Sequence, residues 1–274
     1  MNGTSPVSKP TPSSNPLPPS FIGVFDSGVG GLSVLQQIHA SWPEAATLYY
    51  ADQAHFPYGP KPADELHQYV DSAVQMMIAS GAAGIVLACH SASASSLLRL
   101  RASYPDIPFI GLEPAVKPAA EATKTGVIGV LTTQITSQGA LYKSVVERFA
   151  RHVQVITQVA PELVELAESG DIESDHANAV VRGSLAPLIE ANADQIVLAC
   201  THFPFLAPTI SAITSAKLVD PAAGVARQTR RMLENRLTPG EGRVYLTSGD
   251  PAAFLATAAR LLQQSHLDVR KSPL

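Results

Sequence analysis

Short apolar runs recur along the chain, separated by longer segments with helical spacing. In the first half, "FIGVF" (21–25), "TLYYA" (47–51), "GIVLA" (84–88) and "IPFIGL" (107–112) predict four strands. "GVIGVL" (126–131), "VQVITQV" (153–159), "QIVLA" (195–199) and "KLVD" (217–220) repeat the scheme. Between them lie helix-like stretches such as "ADELHQYVDSAVQMMIASG". Near the end, "GRVYLTSGD" reads as one more strand, followed by a helix through "PAAFLATAARLL". Continuous apolar strands alternating with helices predict an α/β fold of mainly parallel sheets covered on both faces.

The two halves resemble each other. "IGVFDSGVGG" begins at Ile22 and "IGVLTTQITS" at Ile128, an offset of 106 residues. The two cysteines, Cys89 and Cys200, each close an "IVLAC" and lie 111 residues apart. This predicts two pseudo-symmetric βα domains that face each other across a cleft, each supplying one cysteine loop. The first domain is expected over 21–113 plus 224–272 and the second over 114–223, with residues 1–20 as a tail. In a parallel sheet the loops after the strand C-termini form the binding crevice. Asp26, Cys89, Thr132 and Cys200 all fall at or just past the end of a predicted strand.

Composition narrows the function. Of 274 residues, 46% are apolar and 15% charged, as in an ordinary soluble globular protein. A net charge of −4 argues against a nucleic-acid partner. No apolar run approaches the ~20 residues of a membrane helix, so no membrane partner is expected. The first twenty residues hold six prolines and five serines without the apolar centre of an export signal, so they read as disordered. Reduced thiols and a cytoplasmic location follow. Two cysteines without CxxC or His/Cys ligand spacing suggest no metal. "DSGVGG" lacks the third glycine of a dinucleotide fingerprint, because Ser33 stands there, and no phosphate-binding GxxxxGK[ST] loop occurs. Its N–H groups and Ser27 are suited to face an anion.

A cysteine closing a buried strand is often only a small core residue. Here, however, Cys89 precedes His90-Ser91 and Cys200 precedes Thr201-His202, at crevice ends where helices start. Helix N-termini and neighbouring imidazoles favour thiolates. Hydrolysis needs one nucleophile, and redox chemistry needs two thiols that bond. Cofactor-free inversion of a carbon centre needs an acid and a base on opposite faces, with roles exchanged for the reverse reaction. A nearly symmetric pair of thiols suits that reaction.

In combination, "IGVFDSGVGGLSVL", "YYADQAHFPYG", "ACHSASA", "GLEPAVKPA" and "LACTHFPFL" resemble the motifs of the glutamate racemases, in the cofactor-independent aspartate/glutamate racemase superfamily. The likeness runs from about Phe21 to about Arg236. It implies interconversion of L- and D-glutamate without a cofactor, supplying D-glutamate for peptidoglycan. Carried onto this chain, Cys89 would serve the D-enantiomer and Cys200 the L-enantiomer. Asp26 and His202 would assist them, and Glu168 would be a further supporting carboxylate. Asp26, Ser27, Tyr58, Gly59, His90, Ser91, Thr133, Thr136, Thr201 and His202 would bind substrate. The family usually has Asn-Thr where this chain has His90-Ser91; a charged His90 would favour the Cys89 thiolate. Alternatives are a racemase for aspartate or another amino acid, or a non-catalytic binding protein of the same fold. The family's enzymes are commonly homodimers, but no feature of this sequence selects an interface.

Overall fold

The computed structural model describes residues 17–238 and 240–274. Ten strands are found among them: β1 (Phe21–Asp26), β2 (Thr47–Ala51), β3 (Ala82–Leu87), β4 (Phe109–Gly111), β5 (Val127–Thr132), β6 (Gln154–Val159), β7 (Gln195–Ala199), β8 (Lys217–Val219), β9 (Arg243–Thr247) and β10 (Val269–Lys271). They form two parallel sheets, ordered β10-β9-β2-β1-β3-β4 and β6-β5-β7-β8. The run β2-β1-β3-β4 repeats as β6-β5-β7-β8, so the internal similarity read along the chain is a repeat of strand order. β9 pairs with β2 in register from Thr47 opposite Arg243 to Ala51 opposite Thr247. β10 was not anticipated: "VRK" carries no apolar alternation, and it pairs only with β9 at the sheet's edge.

Burial explains the patterning. Every residue of β1 and β7 is buried, because both are central strands with helices on either face. Edge strand β6, "QVITQV", has only exposed and half-buried positions. Four apolar clusters fill the layers on the two faces of the two sheets. The helix expected after "KP" spans Ala63–Ala79. It stops where Gly81 adopts φ +104, and a side chain there would also strike the Pro19 carbonyl.

Of the tail expected over 1–20, residues 1–16 lie outside the described residues. Leu17 packs on the first-sheet core, and Ser20 Oγ lies 2.9 Å from Thr238 Oγ1. His39 is half-buried with Nε2 3.0 Å from Thr47 Oγ1. Burial, then the nearby Arg243 charge, pushes its pKa down to about 3. No helix of the described residues is long and apolar enough to cross a membrane.

Candidate active site

In each sheet the chain runs from a central strand to one neighbour and then crosses to the other. β1 and β3 flank this switch in the first sheet, β5 and β7 in the second. A crevice opens at such points beyond the strand C-termini. Asp26 ends β1, and Cys89 follows β3 as N-cap of the helix His90–Ser103. Cys200 directly follows β7. Both sulfurs' residues line one cavity of about 230 Å³, smaller than most drug-sized pockets and suited to a small molecule.

The loop "SGVGG" after β1 approaches the opposite half closely. A Cβ on Gly28 would collide with the Glu168 carboxylate, and one on Gly30 would come within 2.6 Å of Thr201 Oγ1 and His202 Nδ1. Neither glycine has a positive φ among the described residues, so it is the missing side chain, not left-handed backbone, that the fold uses here. The close approach lets Val29 N–H donate to Glu168 Oε1 at 2.7 Å and Ser33 Oγ to the Thr201 carbonyl at 3.0 Å.

The cavity wall includes Ser27, Tyr58, Gly59, His90, Ser91, Thr133, Thr201 and His202 beside the two cysteines. Three expected residues stand behind that wall. Asp26 is fully buried, its oxygens accepting from Gly28 N–H at 2.8 Å and Thr201 Oγ1 at 3.1 Å. Glu168 meets His202 rather than the cavity. Thr136, expected to touch substrate, accepts a hydrogen bond from Thr133 Oγ1 at 2.9 Å, one layer back. Ser91 Oγ lies 3.1 Å from Thr133 Oγ1, joining the two halves across the cavity. Tyr58 directs its phenol away, donating to Asp52 Oδ2 at 2.6 Å, so its ring and backbone form the wall.

The thiols have different surroundings. Cys89 Sγ accepts from Ala92 N–H at 3.5 Å and faces Ser27 Oγ at 3.9 Å. Burial, then the Asp26 charge, nevertheless pushes its pKa well above the usual thiol range. The helix terminus expected to favour the thiolate is therefore outweighed by desolvation. His90 gives no help: burial pushes its pKa down to about 3, so the ring is neutral at physiological pH. The help that a charged His90 would give the thiolate is therefore not supplied. Neither of its buried ring nitrogens has a partner among the described residues. On the other side, His202 Nδ1 lies 3.5 Å from Cys200 Sγ and Nε2 lies 2.6 Å from Glu168 Oε1. Burial opposes charge on His202, but the hydrogen bonds to Cys200 and Glu168 prevail and hold its pKa well above normal. Glu168 is held below the usual carboxylate range despite burial, chiefly by the bond to His202. Asp26, by contrast, is pushed up to about 6 by burial, with the His202 charge opposing.

Sequence reasoning missed part of the wall. Phe56, Val159 and Val164 supply an apolar side, and Gln134 and Glu165 reach its rim. Phe56 sits in the quoted "AHFPYG", but Val159 ends β6 and the others follow β5 or β6 without any motif that marks them. Among the described residues no group of three metal-ligating side chains occurs.

Residues 22–229 match the family model described as Asp/Glu/Hydantoin racemase. The chain belongs to the Asp/Glu/hydantoin racemase family. Within it, the chain is 44% identical over 239 residues to a glutamate racemase of Pseudomonas putida, covering 85% of this chain and 90% of that protein. It is 41% identical to one of Ectopseudomonas mendocina, covering 88% and 94%. The fold superposes on the crystal structure of Escherichia coli glutamate racemase in complex with L-glutamate and the activator UDP-MurNAc-Ala. That TM-score is 0.83 at 31% identity, over 93% of this chain and 98% of that one. The likeness of this racemase-family chain to an aspartate racemase of Picrophilus torridus, at 14% identity and a TM-score of 0.50, is one of fold.

Proposed function

We propose that this protein interconverts L- and D-glutamate by proton transfer at Cα between two thiols, without a cofactor, and that it supplies D-glutamate for peptidoglycan in the cytoplasm. The observation that carries the reading is that Cys89 and Cys200, from equivalent strands of two sheets, line one small cavity. Relatives named glutamate racemase support the choice of substrate. We read residues 21–113 with 224–272 as one domain and 114–223 as the other, which the pairing of β9 with β2 supports.

Starting from the L-enantiomer, the Cys200 thiolate removes the Cα proton, and the Cys89 thiol then donates one to the opposite face. The product is D-glutamate, with Cys200 now protonated and Cys89 now the thiolate. The enzyme is then poised for the reverse reaction, so no outside acid or base is consumed. His202 in its charged form, donating Nε2–H to Glu168 and Nδ1–H to the Cys200 sulfur, stabilises the thiolate on that side. Cys89 lacks such a partner and relies on Ser27, the Ala92 N–H and the incoming substrate. A substrate ammonium entering the cavity supplies the positive charge that burial and Asp26 make necessary for a Cys89 thiolate. Backbone N–H groups at the start of the helix His90–Ser103 and the Ser27 hydroxyl are suited to the α-carboxylate, whereas the Gly28 and Val29 N–H groups are already taken by Asp26 and Glu168. Phe56, Val159 and Val164 give the cavity an apolar side, and the fixed donors offset the charge of the carbanion-like state.

The deciding experiment supplies L- and D-glutamate separately in heavy water. Deuterium should enter Cα of the opposite enantiomer from either side, and a panel of other amino acids, aspartate included, should exchange far more slowly. Tight glutamate binding with no exchange would reduce the protein to a binding member of the fold.

A further inference from the structure

The hydrogen-bonded chain that begins at the Cys200 sulfur does not end at Glu168. Oε1 of Glu168 receives Val29 N–H and His202, whereas Oε2 receives the side-chain amide of Gln53 at 3.4 Å. The other end of that amide is held from the C-terminal end of β9, where Thr247 Oγ1 lies 2.9 Å from Gln53 Oε1. Thr247 Oγ1 already accepts the Gly249 N–H at 2.9 Å, which leaves its one proton for the glutamine oxygen. A carboxylate only accepts, so the amide has one satisfying orientation, with its oxygen on Thr247 and its NH2 on Glu168. Residue 249 leaves room for this side chain: a Cβ there would approach Gln53 Cβ to 2.8 Å and Oε1 to 3.0 Å.

We propose that Gln53, oriented by Thr247, is a positioning residue for Glu168 and through it for the His202–Cys200 pair. The inference rests on the two-thiol reading above. The donor on Oε2 fixes the rotation of the carboxylate and favours its charge, and both keep His202 protonated and aimed at the sulfur. Cys89 has no link to this chain, so a lesion at Gln53 weakens one side of the cavity only. Enantiomers have equal energy, so kcat/KM must fall equally in both directions, and the asymmetry appears in isotope effects. With Cα-deuterated L-glutamate, Cys200 breaks the labelled bond in the slowed step, and the substrate isotope effect grows. With the D-enantiomer, Cys89 breaks it, delivery from Cys200 limits the rate, and the substrate isotope effect shrinks while the solvent effect grows.

The test compares Gln53→Ala, Gln53→Glu, Thr247→Val and Thr247→Ser with the wild type in both directions. Gln53→Ala should lower kcat/KM about tenfold, and Gln53→Glu more, because it sets a second carboxylate against Glu168. Thr247→Val should lose a few-fold, and Thr247→Ser, which keeps the hydroxyl, should match the wild type. In the damaged variants the substrate isotope effects from L and D should move apart. Activity lost with both isotope effects moving together, or activity unchanged, overturns the role of Gln53 while leaving the two-thiol reading intact. If Gln53→Ala does not fold, Thr247→Val decides by the same criterion. Wild-type protein without α-hydrogen exchange overturns the reading and the proposal together.

Discussion

Cys89 and Cys200 leave equivalent strands in sheets of repeated order, yet only one of them has a charged partner built into the protein. On the Cys200 side, His202 and Glu168 form a buried pair with matched shifts, the imidazole pushed towards its charged form and the carboxylate held ionised. On the Cys89 side the neighbouring ring, His90, is neutral, and the nearest carboxyl, Asp26, disfavours the thiolate. The backbone repeat brings two sulfurs to matching places. The side chains around them make the two ends of the proton path electrostatically unlike, so the substrate's own charges must make up the difference on the Cys89 side.

Removing either sulfur should have the largest effect. Cys89→Ser and Cys200→Ser are each expected to lower racemisation by about 10³-fold or more, followed as loss of optical rotation, with the fold retained. Near-normal turnover in either variant would break the pairing of the thiols. Next, Glu168→Gln should lower kcat by about 10²-fold, since His202 loses the charge that holds its proton, whereas Ser27→Ala on the other side should cost less than about tenfold. Equal losses would mean that the asymmetry lies elsewhere.

His90→Asn sharpens the comparison through stability. The folded pKa of His90 is depressed from 6.5 to about 3, so the unfolded chain binds the extra proton between those values. Its contribution to stability is therefore complete above pH 6.5 and is lost as pH falls towards 3. His90→Asn should flatten the acid side of the melting-temperature profile while activity is kept or raised. An unchanged profile would show that His90 is not neutral in the fold, and a folded but inactive variant would show that it has taken on a role of its own. Asp26 works in the opposite sense: its pKa, raised from 3.8 to about 6, makes the fold lose stability as pH climbs through that interval. The smallest effect is expected at Thr136→Val, under about threefold in kcat/KM. Thr133→Val should cost more, because Thr133 lines the cavity and Thr136 stands behind it.

Much of this was legible in the chain itself. The eight strands of the repeat, β9 and the helix Pro251–Leu262 follow from apolar runs and helical spacing, most plainly at β1 and β7, because strands covered on both faces must be apolar throughout. β10 was not legible, being three residues at an edge with one paired side. The two thiols and most of the cavity wall could be named because they stand at strand ends inside recognisable motifs. Val159, Val164 and Gln134 were not, since nothing local separates a valine lining a cavity from one in a core.

The chain by itself determined that two similar halves would each place a cysteine at the crevice end of a central strand, because apolar periodicity dictates sheets and strand ends dictate loops. Tertiary structure alone decided what each sulfur would feel. Desolvation is set by everything packed around a group, so His90 became neutral and Asp26 only weakly acidic, against their usual chemistry. Hydrogen bonds between residues more than a hundred positions apart, such as Gln53 to Glu168 and Val29 to Glu168, exist only once the two halves close on each other.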